Sequence, residues 1–396
     1  MKYAIILPDG AADEPIPSLG GRTPLEVAHK PHMDRVAREG RLGHVLTVPD
    51  GFVPATDVAT LTLFGYDPHK YYSGRAPLEA LARKLAVRAD HMVFRCNFVT
   101  VLDGRMRDFT GGHITQPEAD ALVAALCVAL RPLGCELHTG VSYRNLLLLS
   151  NGAEIAVKCA PPHDIADELV THHLPSGDGG SRVKAIMDAA KAVIAEHPVN
   201  AARHAEGRPP VTDIWLWGQG RPTNLETFEA RFGLRGAVVT AVDILRGIAV
   251  GMGMDLIEVP GATGYIDTDY AAKGRAAVKA LVTHDVVVVH IEAADEAGHM
   301  GNATEKVKAI ERIDADVVGP VIDALPKHGE WRMLVAPDHP TPVRTKGHSA
   351  TPPPFCFAGT GVSPGSGRGF TEAEAHAAGL FVERGPTLIE MFLGRG

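Results

Sequence analysis

Trp331-Arg332-Met333-Leu334-Val335-Ala336-Pro337-Asp338-His339-Pro340 is an apolar run that ends in a carboxylate and an imidazole. The run reads as a buried strand. The Asp-His pair at its end sets a hard oxygen donor beside a nitrogen donor, where a metal ion can sit. His348 follows nine residues later. Three other segments carry matching groups, also at strand ends. They are Asp9 in Ile5-Ile6-Leu7-Pro8-Asp9-Gly10, Thr56-Asp57 after Pro54-Ala55, and Asp295-Glu296-Ala297-Gly298-His299 after Val286 to Ile291.

Outward from these stretches, the chain alternates strand and helix. Residues 2–8 and 41–48 read as strands, Thr23 to Glu39 as helix, and Thr56 to Leu63 as the start of another helix. After about residue 81 the pattern changes. Strands at Met92 to Val101, Tyr143 to Leu149 and Glu154 to Cys159 surround a helix at Gln116 to Leu130, and a second helix follows at Ser181 to Ala195. The main fold is expected to resume at Asp213 to Trp217. It continues through strand 237–240, helix 241–252, strand 255–259, helix 269–282, strand 285–291, helix 303–325 and strand 331–336. Pro352 to Pro354 precede an expected edge strand ending at Ala358. The predicted class is α/β, with a mostly parallel sheet covered by helices on both faces. Residues 1–80 and 200–396 form that fold, and 81–199 form an inserted smaller α+β domain with its linkers. Active groups in such sheets gather at the carboxyl ends of strands.

Composition narrows the function. The 396 residues carry a net charge of −8 and no Lys/Arg-rich block, which argues against a nucleic-acid surface. Apolar runs are broken by charge before a membrane span is complete. Cys96, Cys127, Cys135, Cys159 and Cys356 are scattered and odd in number, with no zinc-site spacing, so a reducing compartment and a cytoplasmic location are expected. This composition is compatible with a homo-oligomer.

Asp295 and His299 stand at i, i+4, on one face of a helical turn. With His348 they make a set suited to Zn²⁺ or Mn²⁺, and Asp9, Asp338 and His339 make a second, harder set. Two ions side by side form the clamp used in phosphoryl transfer. Co²⁺ and, less readily, Mg²⁺ also suit such donors. With 19 histidines in the chain, either pattern alone arises easily by chance; their joint appearance after buried strands carries the weight. Thr56 is the candidate nucleophile, although its hydroxyl equally suits a helix N-cap, as does the carboxylate of Asp57.

Read together, these segments resemble the cofactor-independent phosphoglycerate mutases of the archaeal type, within the alkaline phosphatase superfamily. The marks are Leu7-Pro8-Asp9-Gly10, Pro54-Ala55-Thr56-Asp57-Val58-Ala59, Tyr72-Ser73-Gly74-Arg75-Ala76-Pro77-Leu78-Glu79, Phe94-Arg95-Cys96-Asn97, Pro161-Pro162-His163-Asp164, Gly261-Ala262-Thr263-Gly264 and Asp338-His339-Pro340-Thr341-Pro342. The resemblance implies an alkaline phosphatase-like fold. It implies one ion on Asp9, Thr56, Asp338 and His339, a second on Asp295, His299 and His348, and no use of 2,3-bisphosphoglycerate. It also implies a phosphorylated residue 56, where the family usually has serine. His113 stands where archaeal members usually have arginine, and the Asp-His-Pro-Thr-Pro form is closer to a bacterial branch linked to a homoserine kinase-like activity.

The expected substrate is a small phosphorylated carboxylate. Arg75, Arg95 and Arg144, with Arg246 and His113, are candidates to hold it, since guanidinium groups grip carboxylate and phosphate in two-pronged fashion. Each arginine reads equally as one half of an ion pair. His163 and Asp108 are candidates to move protons at the glycerate hydroxyls. The inserted domain is expected to act as a lid, because a mutase must exclude water. The rivals are a phosphohydrolase on the same two-metal core, a kinase acting on a small amino-acid alcohol, and a protein that kept the fold without catalysis. No Gly-x-x-x-x-Gly-Lys-[Ser/Thr] loop supports the kinase.

Overall fold

The computed structural model describes residues 1–365 and 367–395, in two compact units. One comprises residues 1–72 with 224–396, the other residues 73–223.

The first unit is built on an eight-stranded sheet. Its strands lie in the order Asp255–Leu256, Gly236–Val239, Val286–Ile291, Lys2–Pro8, Trp331–Val335, Pro354–Gly359, Arg41–Val45 and Phe381–Val382. Lys2–Pro8 pairs in parallel with both Val286–Ile291 and Trp331–Val335. These central strands are buried almost throughout, which is why they are written as unbroken apolar runs and not as alternating ones. Helices cover both faces. Ala4 and Ile6 share a core with Met33, Val36, Ala277, Ile310 and Ile322 on helices of one side. Tyr3, one residue out of phase, meets Phe392 of the helix Leu388–Leu393 edge-on at 5.6 Å.

The second unit is an antiparallel sheet. Arg105–Asp108, Met92–Leu102, Arg144–Leu149 and Cys135–Val141 lie in that order, and Asp213–Gly220 also pairs with Met92–Leu102. Gln116–Leu130 and Gly180–Ala195 supply Leu122, Leu126, Ile186 and Ile194 to its core.

Several expectations need correction. Asp213 to Trp217 does not return to the main sheet; it continues to Gly220 as a strand of the second unit. The strand after Pro352 is not an edge: Pro354–Gly359 lies between Trp331–Val335 and Arg41–Val45, antiparallel to both. Its two ends alone are flanked by proline and glycine, so both ladders remain intact. The helix expected over 23–39 is two, Pro24–Val27 and Pro31–Glu39, because the residue before Pro31 is driven out of helical geometry. The long helix from residue 303 opens into a wide π-turn at Asp314–Val318, just before Pro320, which lacks the N–H to continue the ladder. Of the strand expected over 154–159, only Val157–Lys158 is extended and paired. Among the described residues no helix is long and apolar enough to cross a membrane.

Candidate metal centre

All seven residues expected to hold metal lie in the first unit, and the structure brings them together. Asp9 follows the strand Lys2–Pro8, and Asp338 and His339 follow Trp331–Val335, the neighbouring parallel strand. Asp295 and His299 sit on the helix Ala293–Met300, which starts two residues after Val286–Ile291. Parallel pairing thus delivers three chain segments to one end of the sheet. Gly10 allows the approach: its φ is +61°, and a Cβ there would lie 2.6 Å from Asp295 Cα.

Two donor sets result. In the first, His299 Nε2 is 3.0 Å from His348 Nε2 and 3.1 Å from Asp295 Oδ2. The Nδ1 of His299 donates to Lys346 O at 2.9 Å, and that of His348 to Pro54 O at 3.1 Å. Those carbonyls fix the tautomers, leaving both Nε2 lone pairs aimed at one point. In the second set, His339 Nε2 lies 3.3 Å from Asp338 Oδ2, 3.8 Å from Asp9 Oδ1 and 3.4 Å from Thr56 Oγ1. Asp9 Oδ1 and Asp338 Oδ2 are buried and have no hydrogen-bond partner. Two buried carboxylate oxygens left bare are costly unless a cation meets them. The donor set therefore fits a divalent ion. The sets touch: the rings of His339 and His348 stack with centroids 4.1 Å apart, and Thr341 Oγ1 donates to Asp295 Oδ1.

The electrostatics ask for the same thing. Burial, with the charges of Asp338 and Asp295 nearby, pushes the Asp9 carboxyl well above its ordinary range. Burial likewise pushes Glu292 up to about 8, helped by Asp295. The hydrogen bond to Asp295 raises His299 to about 9, so this imidazole takes up a proton where no other positive charge is supplied. Burial alone raises Asp295, but its bonds from His299 and His348 win and hold it below the usual carboxylate range.

Thr56 is the first residue of the helix Thr56–Leu63, and the N-cap is Ala55. Its hydroxyl is thus not consumed in capping. Asp57 is turned away, accepting from Tyr72 Oη at 2.8 Å and from Val58 N.

Sequence reasoning missed His290. It is wholly buried, and its Nε2 donates to Asp9 Oδ2 at 2.9 Å while Nδ1 accepts from Thr240 Oγ1 at 3.2 Å. Burial lowers it to about 3, so it is neutral. The signal was a single histidine in a run of valines, which reads as core. Lys306 was missed too. It is fully buried and donates to Asp13 Oδ2, Ala12 O and Thr341 O, tying the loop after His339 to the loop after Asp9.

Of the other expected site residues, three arginines and one histidine cluster in the second unit. Glu79 Oε1 lies 3.2 Å from Arg95 Nε and 3.5 Å from Arg75 Nε. Arg95 stacks on Trp217 at 4.1 Å, and the His163 ring meets the same indole edge-on at 5.1 Å. The charges of Arg75 and Arg144 both act on Arg95. Asp108 lies beside this cluster, since the ring of its neighbour Phe109 meets His163 edge-on at 6.3 Å. Its carboxylate caps its own loop, accepting from Thr110 N, Thr110 Oγ1 and Gly112 N, and His113 in that loop is held by Thr110 Oγ1 through its backbone N–H. Arg246, in the first unit, takes the ion-pair reading: it grips Glu258 with two donors, at 2.5 and 3.2 Å.

Comparison with known proteins accords with this geometry. A family model described as 2,3-bisphosphoglycerate-independent phosphoglycerate mutase matches residues 37–200. A protein of that name from Methanothrix thermoacetophila is 47% identical over 99% of this chain and 100% of its own. Among solved structures, a Pyrococcus horikoshii protein is 29% identical, with a TM-score of 0.83 over 100% of this chain and 97% of that one. The cofactor-independent phosphoglycerate mutase of Thermoplasma acidophilum is 25% identical, with a TM-score of 0.70 and full coverage of both chains. With nearly half its residues shared end to end, this chain belongs to the family of 2,3-bisphosphoglycerate-independent phosphoglycerate mutases.

Proposed function

We propose that the protein interconverts 3-phosphoglycerate and 2-phosphoglycerate without 2,3-bisphosphoglycerate, passing the phosphoryl group through Thr56. The observation that carries this reading is the place of Thr56 Oγ1: at a helix N-terminus, uncommitted to capping, 3.4 Å from His339 Nε2. Asp9, Asp338, His339 and Thr56 would hold one divalent ion, and Asp295, His299 and His348 the other. Mn²⁺ is the proposed occupant, because it accepts mixed carboxylate and imidazole donors. Such ions, when bound, neutralise phosphate charge and lower the barrier to attack at phosphorus.

The chain's own contribution is placement. Backbone N–H groups at the start of the Thr56 helix favour phosphate oxygens. The Thr56 hydroxyl gives up its proton and forms its Oγ–phosphorus bond as the bond from phosphorus to the glycerate oxygen breaks, and that oxygen takes up a proton. The other glycerate hydroxyl then gives up a proton and accepts the phosphoryl group as the Thr56 Oγ–phosphorus bond breaks, and Thr56 Oγ takes its proton back. His163 is our candidate carrier for the glycerate proton. Burial holds it below its ordinary value, so it is neutral and able to accept. Arg75, Arg95 and Arg144 would retain the glycerate carboxylate, and Glu79 and Trp217 support Arg95 in that role.

The test is incubation with Mn²⁺ and 3-phosphoglycerate in the absence of 2,3-bisphosphoglycerate, followed by phosphorus NMR. Isomerisation to 2-phosphoglycerate without net phosphate release is the expected result. Free phosphate alone would make the protein a hydrolase and end this proposal.

A further inference from the structure

A second cationic site lies in the first unit, at the far end of the Thr56 helix. A cavity of about 260 Å³ is lined by Lys70, Arg231 and Arg384, with Gly65, Tyr71 and Pro386 among its other walls. The three cations come from three separate chain segments. Among the described residues, none of them has a carboxylate within ion-pairing distance, although most other arginines of this acidic chain do. Arg231 is held instead by aromatic faces, 5.0 Å from the Tyr66 ring and 5.2 Å from Phe232. Lys70 rests on Tyr71 at 4.6 Å. Stacking fixes a guanidinium while leaving its N–H donors available to an anion.

Two carboxylates also line the cavity, Asp67 and Glu390. Asp67 is engaged in capping its own helix, accepting from His69 N at 3.0 Å. The balance is still positive, three cations against two anions, in a chain whose net charge is −8.

We propose that this cavity binds a small anion carrying a phosphate group. Its volume falls just below the range of roughly 300–1,000 Å³ usual for drug-sized ligands, which suits a metabolite of a few carbons. Tyr71 and Pro386 offer apolar surface for the carbon part. The site is joined to the catalytic helix: Gly65 follows Thr56–Leu63, and a Cβ at Gly65 would lie 2.5 Å from Ile389 and 3.3 Å from Pro386 O. An anion held by Arg384 and Arg231 would therefore bridge segments that pack against the end of the helix whose first residue is Thr56. Binding itself does not depend on the mutase reading; only its effect on turnover does.

The probe is inorganic phosphate, titrated by calorimetry into the Mn²⁺-loaded enzyme and again after chelation. Two classes of site are expected in the loaded enzyme and one after chelation, since this cavity uses no metal. In Arg231→Gln/Arg384→Gln the metal-independent class should weaken at least tenfold while the metal-dependent class remains. Lys70→Gln, on an exposed side chain, gives a smaller loss and guards against misfolding of the double variant. Malonate in place of phosphate separates the sources of charge: weaker binding than phosphate is expected, and equal or tighter binding would overturn the phosphate assignment. No metal-independent binding in the parent enzyme, or the same binding in the double variant, would overturn the site.

Discussion

Replacing Thr56 by alanine removes one oxygen and leaves six other donors in place. We expect Thr56→Ala to abolish phosphoenzyme formation while metal content, measured by emission spectrometry, stays near that of the parent. Full activity in this variant would remove Thr56 from the reaction. His290 permits a finer experiment. Its Nε2–H holds Asp9 Oδ2 and so leaves Oδ1 for the ion. His290→Ala should weaken Mn²⁺ binding by about 10–100-fold, read by electron paramagnetic resonance. His290→Gln, which can present an N–H at a similar reach, should recover part of that loss; equal loss in both would make His290 a packing residue. His299 adds one component to the pH behaviour of the metal-free protein. Its folded value, about 9, lies above the unfolded value of 6.5. Its contribution is therefore fully present below pH 6.5 and is lost as pH rises through 9. The chelated protein should show a falling Tm across that window. The Mn²⁺-loaded protein, in which the ion replaces the proton, should not show this component.

Helices and strands carry these residues to one place, and the fit between elements is tight. Gly298 lies inside the helix Ala293–Met300, where alanine ordinarily gains about 1 kcal/mol over glycine. Here a Cβ would lie 2.4 Å from Thr341 O, so Gly298→Ala should lower Tm, and a rise would show that the Thr341 loop yields easily. This level also shows what was readable in advance. Buried parallel strands announce themselves as apolar runs, and their ends as Asp9, Asp295 and Asp338, so a candidate metal set could be named from spacing. The strand Asp213–Gly220 was equally visible, but its sheet was not. Apolar pattern states that a segment is extended and buried, and is silent about its partner. His290 and Lys306 were hidden for a related reason: a lone polar residue in an apolar context gains meaning only from what faces it. Asp108 is the opposite case, a carboxylate whose hydrogen-bond partners, Thr110 and Gly112, lie within four residues.

At the scale of the whole molecule the proposed metal ligands belong to one unit and the proposed substrate arginines, Arg75, Arg95 and Arg144, to the other. Chelation should therefore loosen the chain unevenly. Hydrogen exchange at residues 9–10, 295–299 and 338–348 should quicken, while Met92–Leu102 and Arg144–Leu149 keep their protection; uniform loosening would contradict this division. The second unit is one uninterrupted stretch, residues 73–223, with its own sheet and core. The first is not. Tyr3 finds its strand partners only at Val286 and Arg332. During synthesis at roughly 5–20 residues per second, the opening strand waits on the order of tens of seconds for its neighbours. In that interval Tyr3-Ala4-Ile5-Ile6-Leu7 is a sticky, unpaired leader that a nascent chain must shield, while the central segment completes itself on the ribosome. On the proposed ligand set, competence for chemistry arrives late and all at once, after His348 has cleared the exit tunnel.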